Sequence, residues 1–124
     1  MRFLHGALAG SALVMLAASP GTAQDLSEKG RILATTHCSR CHVVGETNKF
    51  GGISSTPSFK LLVKALDDWH DRFETFHARP PHPSVIRIDG SDPISKDPPT
   101  TQQVFLKIED VDALVAYAET LAQE

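Results

Sequence analysis

The sequence predicts an all-α domain of three to five helices with one long irregular stretch set into it. Three observations predict this. Apolar residues recur at helical spacing in Phe59, Leu62, Val63 and Leu66, and again in Val111, Leu114, Val115, Ala118 and Leu121. Residues of helix-start type precede these and an earlier helical run: Asp25, then Ser55-Thr56-Pro57, then Asp67-Asp68. Only Val85-Ile86-Arg87-Ile88 reads as strand.

The chain is organised around Cys38-Ser39-Arg40-Cys41-His42, a C-x-x-C-H run holding both cysteines of the sequence. Two thiols three positions apart, followed directly by a histidine, are what covalent haem attachment requires. Each sulfur adds to one porphyrin vinyl group, and a helical turn between them matches the vinyl separation. The imidazole that follows is then carried beneath the iron. The predicted fold is therefore a few helices packed around one covalently bound haem c, with its iron.

Other chemistries of paired cysteines fit less well. A structural zinc site takes four ligands, and no second C-x-x-C exists; His70, His77 and His82 would be an improvised other half. A redox-active C-x-x-C normally follows a strand, whereas helix precedes Cys38. A disulfide between cysteines three apart closes a very small loop and staples little.

Arg2 followed by the apolar stretch Phe3–Ala18 and the small residues up to Ala23 has the pattern of a secretory leader. The expected domains are a cleaved signal peptide over 1–23 and a single domain over 24–124. The apolar run is short for a membrane span, and nothing after it approaches one. The expected location is a bacterial periplasm. Loss of Arg2 leaves 11 basic against 15 acidic residues. That balance disfavours nucleic acid and suits a soluble acidic surface or a basic redox partner. Both methionines, Met1 and Met15, lie in the leader, so the mature chain is expected to contain none.

Taken in order, Asp25 reads as the N-cap of the first helix, with Glu28 at the reciprocal capping position. Gly30 lies within that helix, where a glycine either serves the close approach of another element or is simply tolerated. Val43–Ser58 is loop by composition and is placed to wrap the proximal face of a haem. Ser55 or Thr56, with Pro57 at the first helical position, opens the next helix. Trp69, Phe73 and Phe76 form an aromatic face on a third. Arg79–Gln103 is long, proline-rich and irregular, a cover over a cofactor. Glu109, Asp110 and Asp112 mark the start of the terminal amphipathic helix.

With these parts in place, the chain resembles the class I c-type cytochromes. The resemblance runs through Gly30, Cys38-x-x-Cys41-His42 and the terminal helix Glu109–Tyr117; residues 47–103 resemble the family poorly. It implies that the first and last helices cross beside the haem at Gly30 and Tyr117. It also implies that Cys38 and Cys41 are the thioether attachments and His42 the proximal iron ligand. The family's axial methionine is missing from the loop Thr100-Thr101-Gln102-Gln103. His82, followed by Pro83 in a stiff loop, is the first choice for the sixth ligand, ahead of His77 or His70, or an open or water-filled position.

The expected function is one-electron transfer to redox partner proteins, by a carrier rather than an enzyme. Two alternatives remain at this level. One is a haem protein binding NO, CO or O2, or acting on peroxide, at an open or labile sixth site. The other is a cytochrome subunit of a larger periplasmic oxidoreductase. The histidines are the same in every case.

Overall fold

The computed structural model describes residues 21–93, 96, 98 and 101–124 of the chain. The expected leader lies outside the described residues except for 21–23, which stand in the first helix. Among the described residues are four α-helices: α1 (Gly21–Leu33), α2 (Phe59–Ala65), α3 (Trp69–Thr75) and α4 (Ile108–Gln123). Two three-residue strands, β1 (Ile86–Ile88) and β2 (Val104–Leu106), pair in parallel with Ile86 opposite Val104. The fold is helical as expected, with this ribbon as an addition. β1 lies within the strand-like piece read from sequence. β2 escaped that reading, because three residues are too few to display a period.

The core is centred on α4. Its apolar stripe buries Val111, Ala113, Leu114, Val115, Tyr117, Ala118 and Leu121. Each large aliphatic side chain removed from water contributes about 1.5–3 kcal/mol. The other three helices all pack against this stripe, α1 most extensively. Phe59 and Val63 of α2, Phe73 of α3, Ala34, Val44, and Ile86 and Leu106 from the ribbon complete the buried cluster. No described helix is long and apolar enough to cross a membrane.

Three helix starts differ from expectation. Asp25 lies inside α1, which already runs from Gly21, and Glu28 reaches forward to Arg31 at 2.6 Å instead of back to a cap. Neither Ser55 nor Thr56 caps α2. Ser58 does, its Oγ accepting the Leu61 N–H at 3.0 Å. Pro57 remains outside the helix because its carbonyl is engaged sideways by His42. Asp68 occupies the N-cap position of α3 as expected, but its carboxylate accepts from Arg72 Nε at 2.8 Å rather than from the backbone. Phe76 falls just beyond α3, opening a 3-10 turn over Phe76–Ala78.

The crossing of α1 on α4 has no room to spare. A Cβ on Gly30 would fall inside the carbonyl of Ala113 and 2.9 Å from Cβ of Tyr117. Beside the crossing, Lys29 pairs with Asp110 at 2.6 Å, and Asp110 Oδ2 also accepts the Lys107 N–H at 2.9 Å. Partial burial of Asp110 opposes its ionisation. Lys29 and the Lys107 N–H outweigh that and hold the carboxyl below the usual aspartate range.

Gly30→Ala should destabilise the protein by about 1–3 kcal/mol in urea denaturation, since the obstacle is backbone and cannot rotate away. The helix propensity gained, about 1 kcal/mol, is too small to reverse the sign. Asp110 is depressed in the folded state, so its contribution is present above the unfolded aspartate pKa of about 3.9 and lost as pH falls through the lower folded value. Asp110→Asn should therefore cost stability at pH 7, within about 1 kcal/mol. The difference from the parent should vanish in acid, which a denaturation series from pH 7 to pH 2 would read.

Candidate haem site

The attachment motif is delivered by a change of helical pitch. Beyond Leu33 the chain widens into a π-turn over Ala34–Cys38, closed by Ser39 N–H donating to Ala34 O at 3.1 Å. Hydroxyls of Thr35, Thr36 and Ser39 donate to carbonyls four residues back, at 2.8, 2.8 and 2.6 Å. Such back-bonding competes with the helical ladder and bends it. A tight turn follows, with Cys41 N–H and His42 N–H both donating to Cys38 O at 3.1 and 2.9 Å. One helical turn thus separates the two thiols, the spacing the motif implied.

Cys38 is half-buried and Cys41 exposed. Burial, and secondarily the neighbouring Cys41, pushes the Cys38 thiol up to about 12. Among the described residues no group of three or more His, Cys, Asp and Glu side chains is arranged to hold a metal ion. A zinc site built from the cysteines and histidines is therefore disfavoured.

The loop after the motif folds back beneath His42, as the glycine-rich composition suggested. His42 Nδ1 lies 2.7 Å from Pro57 O. A carbonyl can only accept, so Nδ1 carries the proton and Nε2 keeps its lone pair for a metal. Gly52, at φ +75°, turns the chain so that Ile53 N–H donates to Cys41 O at 2.9 Å. Asn48 secures the same loop from within. Its Oδ1 accepts Val44 N–H at 2.9 Å and Gly45 N–H at 3.3 Å, while Nδ2 donates to His42 O at 2.9 Å. Little in the sequence signals this beyond an asparagine in a glycine-rich loop. The buried Tyr117 hydroxyl donates to Val44 O at 2.7 Å, joining α4 to the loop. Gly45 leaves room for that hydroxyl, which a Cβ there would meet at 2.6 Å.

His82 is brought opposite His42 by a 3-10 turn over His82–Ser84 that follows a cis peptide between Pro80 and Pro81. The two imidazoles are parallel within 8°, their centroids 6.1 Å apart. Rings in face contact would lie much closer, at about 3.5–4 Å. Two metal–nitrogen bonds of about 2 Å, plus two ring radii of about 1 Å, place a pair of axial imidazoles on the order of 6 Å apart. With both Nε2 atoms turned toward the gap, that spacing would admit one iron between the rings. His82 Nδ1 lies 3.1 Å from Arg79 O, so this ring too keeps its Nε2 lone pair. Burial, reinforced by His42, lowers the His82 pKa against the pull of the Arg79 carbonyl. A neutral imidazole is the form that binds metal. Phe76 packs edge-on to His82 at 5.4 Å, and Phe59 against His42 at 5.5 Å.

The other histidines stand elsewhere. His70 is exposed on α3, between Glu74 at 3.6 Å and Glu119 at 3.4 Å. His77 packs on the edge of Phe76 and lines a small recess with Ile88, Arg87 and Asp92. Arg87 Nε is buried in that region with no hydrogen-bond partner among the described residues. His37 is half-buried one residue ahead of the attachment turn.

Asn48→Ala should strand the amides of Val44 and Gly45 and cost about 1–3 kcal/mol in urea denaturation. Asn48→Asp keeps the acceptor for the Val44 and Gly45 amides but loses the donor to His42 O and Ser39 O and turns a carboxylate oxygen toward both carbonyls, so it should be destabilising as well. Either variant proving as stable as the parent would contradict this account of Asn48.

The cytochrome c family model matches residues 27–122, a span that includes α1 beyond its first turns, the attachment motif, the ribbon and nearly all of α4. No curated protein and no solved structure matches the chain. The matched span, the helical architecture and the two cysteines one turn apart lead to one conclusion: the chain belongs to the cytochrome c family, a haem-based electron-transfer protein with covalently bound haem c.

Proposed function

We propose that this protein is a periplasmic one-electron carrier whose haem iron is held by His42 on one side and His82 on the other. The observation that carries the reading is the pair of parallel imidazoles 6.1 Å apart, each with Nδ1 turned to a backbone carbonyl. Cys38 and Cys41 are the thioether attachments. Bound haem supplies an iron centre that gains and loses one electron.

The chain's own residues keep that exchange simple. Pro57 O and Arg79 O fix the tautomer and the plane of each imidazole, so neither ring has to reorient between oxidation states. Phe59 and Phe76 restrict the movement of the rings and shield them from water. Two imidazoles lack the preference for reduced iron that a methionine sulfur brings, so the potential falls below that of Met/His cytochromes. The leader pattern over 1–23 supports export. Its removal takes away Met1 and Met15, which leaves no methionine to compete for the iron.

An optical spectrum of the holoprotein, oxidised, reduced, and reduced under CO, tests the reading. The parent should be low-spin and unmoved by CO. His82→Ala should become high-spin when reduced and bind CO fully. A parent that shifts completely on CO would instead support the ligand-binding alternative. A His82→Ala variant with an unchanged spectrum would remove His82 from the iron.

A further inference from the structure

The distal ligand sits on a chain of short turns, and one side chain ties that chain to α3. Arg79 N–H donates to Phe76 O at 2.9 Å, and Arg79 O accepts both the backbone N–H of His82 at 3.0 Å and its Nδ1–H at 3.1 Å. The position of one carbonyl therefore sets both where His82 leaves the backbone and how its ring is rotated. The side chain of the same residue runs back along α3. Its Nε donates to Thr75 Oγ1 at 2.8 Å and its terminal nitrogen to Asp71 Oδ2 at 2.6 Å. Thr75 Oγ1 donates in turn to Asp71 O at 2.6 Å, which orients its lone pairs toward Arg79. A guanidinium held at two of its nitrogens by acceptors one helical turn apart has little freedom to swing.

We infer that Asp71, Thr75 and Arg79 form a positioning clasp for the sixth ligand, holding the His82 plane parallel to that of His42. The inference rests on His82 being that ligand. None of the three clasp side chains touches the iron; they act through the Arg79 carbonyl. The proximal ring needs no such device, since Pro57 O is fixed by the Ser58 cap and by Phe59 N–H donating to Val43 O at 2.9 Å. The distal segment is tied into the fold through α3 and the short ribbon, so its ring plane depends on the clasp.

The consequence is electronic as well as structural. Parallel axial imidazoles draw on the same iron d orbital and split it from its partner, giving a rhombic low-spin resonance. Rings at varied angles reduce and broaden that splitting. Arg79→Met keeps the apolar stem and removes the fork, and Arg79→Lys restores a single charged contact. Asp71→Asn weakens the outer bond at an exposed position where folding is not at risk.

Electron paramagnetic resonance of the oxidised holoprotein and the rate of CO uptake by the reduced form read the effect. Arg79→Met should broaden the rhombic signal and raise CO uptake about two- to fivefold, the range expected for an exposed ion pair with one added hydrogen bond. Asp71→Asn should move both readouts the same way by less, with Arg79→Lys between the parent and Arg79→Met. An unchanged resonance and CO rate in both Arg79→Met and Asp71→Asn, with His82→Ala still binding CO freely, would overturn the clasp alone, even if melting temperatures fell. If His82→Ala left the parent spectrum intact, the ligand assignment and the clasp would fall together.

Discussion

The distance between α1 and α4 is the constraint from which the haem site follows. Backbone meets backbone at Gly30 and Ala113, and the crossing can be that close only because residue 30 has no side chain. Everything downstream inherits its position. The π-turn leaves the end of α1 and sets the cysteines, and Tyr117, one helical turn beyond Ala113, reaches Val44 to fix the loop beneath His42. A helix pair that could slide would carry the attachment turn with it, and the His42 imidazole would lose its register with Pro57.

The two sides of the site are built by different means. Around His42, side chains satisfy backbone: Asn48 spans one turn of loop, and the carbonyl of Pro57 is fixed because both following residues are committed to α2. Around His82, consecutive short turns satisfy one another through Phe76 O, Arg79 O and His82 O. A structure made of local turns has less buried area behind it, so its order depends more on polar ties to its neighbours.

What was legible in the sequence follows this division. Periodicity locates α2 and α4, since each buries a continuous face, and the C-x-x-C-H run marks the attachment turn by chemistry alone. Asp25 and Glu28 have cap chemistry and suggest a later start for α1, yet the residues before them continue the helix and Glu28 prefers Arg31. Pro57 suits a first helical position and suggests too early a cap for α2, and nothing local shows that its carbonyl is claimed by a residue fifteen positions away. The stiff setting of His82 is local and readable. That its ring lies parallel to that of His42 depends on contacts distant in sequence, from α3 and the ribbon, which no local pattern carries. Asn48 and the Arg79 tie escaped for the same reason.

The ribbon of β1 and β2 bears on the length of the chain between them. Parallel neighbours cannot be joined by a tight hairpin; the chain must travel the length of one strand backward before the next begins, which takes on the order of a dozen residues or more. Residues 89–103 supply that return. Their number is thus bounded below by geometry, while on the upper side each doubling of a flexible loop costs only about 0.6 kcal/mol. Deletions there would pull β2, and α4 behind it, out of register, whereas insertions would cost little. The segment between the strands is thus free to grow but not to shrink.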